Sequence, residues 1–364
     1  MRFTNGTGLP ANWTMGFQRD GRELLVVVVK ATYAMPEPGA EAVLGAEQSA
    51  LVEADQFTAA PGTSAPLYET DYAHVKPACD VLLIGSAHAP PGRAVRRTVV
   101  RLRVGERVKQ FAAVGDRHWR RTFGRVTASD PEPFERVGLT YDLAFGGTDD
   151  TEQAEGRADT CDSNPVGRGF WRHADRIEGR PLPNTEELDR PVSDPQGRYV
   201  PMAFSPVGRS WMPRRLYAGT YDDQWIRTTA PLWPSDFDER YFQAAPADQT
   251  IPYPQGGEEI ELRNLTPDGH RVFRLPQVAM PVRFIPHRGR DISRPARLDT
   301  IVLEPDRQRF TLTWRVSLAL GRSVFDVKET LIGDERRVSR ERRFPGKTYY
   351  RSLAEAVSAR RGSR

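Results

Sequence analysis

The residues best suited to chemistry stand together in Glu69-Thr70-Asp71-Tyr72-Ala73-His74-Val75-Lys76-Pro77, where two carboxylates, an imidazole and an amine fall within eight positions. Glu69, Asp71 and His74 could supply a general base and its orienting partner, as a hydrolase of cell-wall or phosphoester substrates requires. The competing reading is a polar connecting loop that stops at Pro77, because proline cannot continue a strand ladder. The loop is favoured, since no nucleophile or oxyanion donor is identifiable nearby. Asp116 and His118, beside Trp119, read in the same way as turn residues next to a packed ring. The six histidines are dispersed, and Cys79 and Cys161 sit in no metal-ligand spacing, so neither a metal nor a cofactor is expected. No phosphate-binding glycine loop, dinucleotide fingerprint, nucleophile elbow or zinc-protease motif is present.

A second group of residues points to recognition instead. Tyr199 to Phe242 carries ten aromatic residues in 44 positions, and its centre runs Arg209-Ser210-Trp211-Met212-Pro213-Arg214-Arg215-Leu216-Tyr217-Ala218-Gly219-Thr220-Tyr221-Asp222-Asp223-Gln224-Trp225. Tyrosine, tryptophan and arginine dominate interface hot spots because they bury much area while satisfying a polar tip. Arg209, Trp211, Arg214, Tyr217, Tyr221 and Trp225 are therefore the candidate partner-binding residues. Two other readings stay open: aromatic packing in the core of a β-protein, and a carbohydrate-stacking platform of Trp211, Tyr217 and Trp225.

The elements that must position these residues are mostly strands. Trp13 to Gln18 leads through an Asp20-Gly21 hairpin signal into Glu23 to Tyr33, whose Val26-Val27-Val28-Val29 run reads as a strand buried on both faces. Val81 to Ser86, Thr98 to Val104, Val108 to Val114 and Val137 to Phe145 follow. The C-terminal third adds Glu259 to Leu265, Arg271 to Leu275, Val282 to Pro286, Leu298 to Glu304 and Phe310 to Leu318. In the last of these Thr311, Thr313 and Arg315 alternate with Leu312, Trp314 and Val316, the pattern of a half-buried strand. Ser235 to Glu239 has capping-box character, and Ser352 with Glu355 predicts a short helix over 353–360. The expectation is a mainly β, sandwich-like protein whose strand-rich portions, 1–147 and 256–325, are joined by a loop-rich, aromatic insertion over 148–255. A basic tail follows over 326–364. Gly146-Gly147 and Gly256-Gly257 each sit beside an acidic segment, which two related halves or coincidence would equally explain.

Composition narrows the class further. Across 364 residues, 30 Gly and 30 Pro punctuate the backbone too often for long helices. The net charge of +4 comes from 47 Arg and only five Lys against 48 acids, interleaved along most of the chain, so a dispersed basic surface is expected rather than a nucleic-acid site. Two cysteines fit a reducing compartment. The first residues show no apolar signal region, and the longest apolar run, Leu24 to Val29, is far below the ~20 residues that cross a bilayer. A cytoplasmic protein without membrane contact is expected.

The order of specific motifs adds a resemblance. Glu69-Thr70-Asp71 with Lys76-Pro77-x-x-Asp80, then Arg121-x-Phe123-Gly124, Pro133-Phe134-Glu135-Arg136-Val137 and Tyr141-x-x-Ala144-Phe145-Gly146-Gly147 resemble a bacterial domain-of-unknown-function family, number 2169. Asn164-Pro165-x-Gly167-x-Gly169-Phe170, Leu182-Pro183-Asn184, Tyr217-Ala218-Gly219-Thr220-Tyr221-Asp222-x-x-Trp225 and Pro234-x-Asp236-Phe237-Asp238-x-Arg240 are similar to it as well. So are Gln243-x-Ala245-Pro246-x-Asp248-Gln249, Gly256-Gly257-Glu258 and Leu265-Thr266-Pro267-x-Gly269, so that the likeness runs from about residue 10 to 320. The resemblance implies a non-enzymatic adaptor or chaperone of type VI secretion. Such a protein would bind a toxic effector in the producing cell and help load it onto the spike through a VgrG or PAAR component. It implies no catalytic residues, and it gives Glu69, Asp71, Lys76, Gly146, Gly147, Gly256 and Gly257 a structural role.

Overall fold

The computed structural model describes residues 1–152 and 158–334, together with Arg343. The N-terminal portion contributes β1 (Arg2–Asn5), β2 (Ala11–Phe17), β3 (Glu23–Ala34), β4 (Cys79–Leu83), β5 (Arg97–Val104) and β6 (Arg107–Val114). The middle adds only β7 (Thr185–Glu186) and β8 (Thr250–Ile251) to the larger sheets. The C-terminal portion supplies β9 (Glu259–Arg263), β10 (His270–Arg274), β11 (Pro281–Pro286), β12 (Ile292–Pro295), β13 (Arg297–Glu304), β14 (Arg309–Ala319) and β15 (Val327–Ile332).

These strands form a six-stranded sheet in the order β8-β4-β13-β14-β3-β2, a five-stranded sheet β7-β6-β5-β9-β10, and a four-stranded sheet β1-β15-β11-β12. The pairings within them are antiparallel except β4 with β13 and β1 with β15. One core joins all three sheets: Leu25, Val27, Val29 and Leu312 meet Phe111, Ile260 and Phe273 of the second sheet and Phe284 of the third. The protein is thus mainly β, as its alternating residues predict. The strands on either side of the Asp20-Gly21 turn pair from Ala11 opposite Val29 to Phe17 opposite Glu23. Gly21 takes the positive φ of 81° that the turn needs. No helix among the described residues is long and apolar enough to cross a membrane.

Four expectations are corrected. Thr311, Thr313 and Arg315 do not face water; the far side of the six-stranded sheet is buried as well, so β14 is covered on both faces. Val137 to Phe145 is not one strand. The strand stops after Arg136–Gly138 and resumes only at Phe145–Gly146, because Asp142 accepts hydrogen bonds from the Ala65 N–H (2.8 Å) and the Thr58 hydroxyl (2.7 Å) and turns the chain so that Tyr141 enters the interior. The capping-box segment is displaced. Asp238 caps a single 3-10 turn at Glu239–Phe242, and the α-helix of the region is instead α1 (Asp223–Thr228), capped by Asp222 accepting from the Trp225 N–H at 2.8 Å. Finally, β15 falls in the stretch assigned to the basic tail, yet it lies between β1 and β11 inside a sheet. The helix expected over 353–360 lies outside the described residues.

Candidate functional site

The segment with the greatest chemical promise lies across the buried polar face of the six-stranded sheet. Lys30 and Thr32 of β3, Thr311, Thr313 and Arg315 of β14, and Asp299 and Thr300 of β13 share that face, all nearly excluded from water. A β-bulge at Leu298/Thr300 inserts Asp299 opposite no partner, which turns its carboxyl onto the polar side where Arg315 pairs with it. Buried charges need partners, and the 50–80 segment brings them. Asp71 takes the Lys30 ammonium at 2.7 Å and the Val52 N–H at 2.7 Å, while the Arg315 guanidinium donates to the Asp71 carbonyl at 2.6 Å. Lys76 donates to Asp80 at 2.6 Å and to Thr300 at 3.0 Å. Asp80, fully buried, also accepts from the Gln243 amide and from the Ala244 and Ala245 N–H groups. At the far end of the face the Tyr68 hydroxyl donates to Glu304 at 2.5 Å, and burial together with that bond pushes its pKa up to about 12.

The three residues of the hydrolase reading are therefore sent to separate partners. Asp71 answers Lys30, whereas Glu69 answers Arg214 at 2.5 Å and Arg209 at 3.3 Å. His74 lies among rings, 5.3 Å from Phe242 and 5.9 Å from Trp233, with its imidazole over Gly16. A Cβ at position 16 would stand 2.7 Å from the ring, so glycine is what lets His74 lie there. Burial, reinforced by the Arg315 charge, holds the imidazole below its ordinary pKa, so it is neutral at pH 7. Burial pushes the Asp299 carboxyl up, against the pull of Arg315 and Lys76.

The six candidate partner-binding residues divide between interior and surface. Trp211 is buried edge-on against Tyr141, and Arg214 is buried while donating to the Val207 and Tyr241 carbonyls. Arg209 is half-buried and pairs with Asp55 as well as Glu69. These three are internal supports rather than a contact surface. Tyr217 lies beneath the Arg240 guanidinium, while Tyr221 stacks edge-on against Trp225, its centroid 4.7 Å away. Tyr221 is half exposed, and so, more strongly, are Leu216 at 64% and Ile226 at 61%. Leu216, Tyr221 and Ile226 are thus exposed apolar side chains in the segment that follows Arg214, whose ion pair with Glu69 anchors its start. Trp211, Tyr217 and Trp225 do not assemble into one stacking platform. Leu216 and Ile226 were not singled out from the sequence, because isolated apolar residues between charges look like core positions.

The two glycine pairs are backbone devices of different kinds. Gly146 and Gly147 have φ of 149° and 117°, and a Cβ on Gly146 would lie 2.1 Å from the Asn164 carbonyl oxygen. That close approach lets the buried Asn164 amide donate to the Tyr141 and Phe145 carbonyls. Gly256 and Gly257 turn at φ near 90°, where Glu258 accepts from the Gln255 and Gly256 N–H groups. Among the described residues no group of three His, Cys, Asp or Glu side chains could hold a metal ion.

A mainly β scaffold whose polar motif residues brace one sheet, with exposed apolar side chains in the 216–226 segment, is the class of molecule these observations define. Comparison with known proteins gives the family: residues 20–315 match the model described as "Uncharacterized protein conserved in bacteria (DUF2169)". The chain belongs to that family. No curated protein and no solved structure matches it.

Proposed function

We propose that this protein is a non-enzymatic, cytoplasmic adaptor of type VI secretion that binds a secreted effector and helps load it onto the VgrG or PAAR component of the spike. The observation that carries the reading is the exposure of Leu216, Tyr221 and Ile226, three apolar side chains within eleven residues of a segment whose start is anchored by the Arg214–Glu69 ion pair. Exposed apolar side chains that recur within one short segment are candidates for an interaction surface when a partner brings them together. The motif residues support the same reading, since Glu69, Asp71 and Lys76 are consumed by internal ion pairs rather than left facing a substrate. Binding the folded or loading-competent effector stabilises that state by mass action.

The test is co-expression with an effector encoded beside this protein, reading effector solubility and secretion. Wild-type protein should raise both, and replacing Leu216, Tyr221 and Ile226 by serine should abolish the gain while the protein itself keeps its melting temperature. Effector solubility and secretion that ignore the wild-type protein would refute the adaptor role.

A further inference from the structure

Two adjoining cavities flank His74 at one end of the buried polar face, one of about 370 Å³ and one of about 380 Å³. His74, Val75 and Ser317 line both, so the two form successive compartments of one groove.

The first compartment is cationic. Lys76, Arg294, Arg297 and Arg315 line it against a single carboxylate, Asp299. Lys76 is neutralised by Asp80, and Arg315 by Asp299. Arg294 and Arg297, both exposed, meet no carboxylate among the described residues: Arg294 donates to the Ser317 carbonyl at 3.0 Å, and Arg297 lies over the Tyr253 ring. The Nε of Arg315 has no hydrogen-bond partner although the side chain is almost wholly buried. A buried guanidinium N–H without an acceptor is costly, and an entering carboxylate oxygen would supply one. The second compartment is walled by Phe17, Trp233, Phe237 and Phe242, with Arg19, Arg22, Asp20 and Glu239 also lining it, so that its own charges balance and the cationic excess belongs to the first compartment. Asp20 answers Arg22, and Phe17 is half exposed.

We propose that this groove receives an extended, acidic segment of the bound partner. A Glu or Asp side chain of the segment enters between Arg294, Arg297 and Arg315, and an aromatic or aliphatic side chain a few residues away fills the compartment beside Trp233. Side chains two residues apart on an extended strand project to one side about 7 Å apart, which suits compartments that share a wall. Charge complementarity selects the acidic segment: the guanidiniums left without carboxylates face the groove, and a basic segment would add like charges to them. The inference rests on the reading of this protein as a binding protein and gives that reading a second contact, apart from the exposed Leu216, Tyr221 and Ile226.

The test is fluorescence anisotropy with the full chain and a labelled peptide repeating Glu-Thr-Phe-Thr, which sets Glu and Phe two residues apart on one side of the strand, compared with the same peptide carrying Gln for Glu. The Glu peptide should bind at least tenfold more tightly than the Gln peptide, and raising the salt should weaken it. The double variant Arg294→Glu, Arg297→Glu should lose at least tenfold for the Glu peptide with an unchanged melting temperature, because both side chains are exposed. Phe17→Ser should weaken both peptides. Equal binding of the two peptides, or an affinity that the arginine variant leaves unchanged, overturns the proposal. So does a site that takes free citrate but no peptide. Effector capture by the same variants separates this inference from the adaptor role. If wild-type and arginine variant hold the effector equally, the groove is refuted and the adaptor stands; if wild type captures no effector, the adaptor fails while the peptide titration still decides the groove.

Discussion

At the scale of single residues, the polar side chains of the family motif stabilise because they are satisfied together. Asp80 is the clearest case: one fully buried carboxylate collects an ammonium, a side-chain amide and two backbone N–H groups. Removing one partner of a buried pair strands the other, at a cost of about 3–5 kcal/mol, whereas a carboxylate that retains other donors is less exposed to the loss. Asp80→Ala should therefore destabilise the protein by at least about 3 kcal/mol. Lys76→Met, which leaves three donors on Asp80, should cost clearly less, and urea unfolding of the two variants measures the difference. Equal costs would mean that the Lys76 contact alone carries the role of Asp80. The types of these residues were readable in the sequence, but their partners were not. Lys30 lies 41 positions before Asp71, and Thr300 lies 224 positions after Lys76. Nothing local announces such pairings. The same holds for Gly16, whose necessity becomes visible only once the His74 ring lies against it.

At the scale of elements, the polar stretch after Gly147 has only a two-pair ladder, Thr148–Asp149 against Asp159–Thr160, and an ion pair adds to its hold. Asp149 accepts from the N–H groups of Thr151, Arg172 and His173, and its carboxylate meets the His173 ring at 2.8 Å, with Glu152 on the other ring nitrogen at 3.2 Å. The hydrogen bond to Asp149, aided by Glu152, raises the His173 pKa. Burial opposes ionisation of Asp149, but the hydrogen bonds from Thr151 and His173 outweigh it and hold its carboxyl well below the usual carboxylate range. The contribution of His173 is complete below its unfolded pKa of about 6.5 and is lost as pH rises through the raised folded value. That of Asp149 is present above about 3.9 and is lost as pH falls through its lowered value. An NMR titration should find His173 titrating above the ordinary imidazole range, and Asp149→Asn should bring it back down; a His173 pKa indifferent to that substitution would break the link. Elements were legible where periodicity ruled: β3, β5, β6, β13 and β14 lie within a residue or two of their predicted ends. They were not legible where a distant side chain overrode local preference, as Asp142 does after Gly138. The face of β14 was misjudged for a related reason, since a polar alternation signals solvent only when no other segment supplies counter-charges.

At the scale of the whole molecule, the ends of the chain complete sheets that the family segment leaves open. The matched region, 20–315, excludes β1, β2 and β15 and cuts β14 short. Yet β2 covers the edge of β3 across seven residue pairs, along the stretch that contains Leu24 to Val29. On the third sheet β15 is flanked by β1 on one side and β11 on the other, so its loss unpairs both. An uncovered apolar edge is a template for association with other chains. Deleting β15 also removes Val327 and Ile332 from the core that the three sheets share. A fragment of residues 20–315 should therefore aggregate or bind a hydrophobic dye without a cooperative thermal transition, while residues 1–334 unfold in a single transition. Cooperative melting of the short fragment at the midpoint of the longer one would show that the core closes without its outer strands. The groove beside His74 gives the same comparison a second readout, because Phe17 at the end of β2 walls one compartment and Ser317 of β14 lines both. The short fragment should lose affinity for the acidic peptide even in whatever fraction stays monomeric, which ties the binding surface to the strands that close the fold.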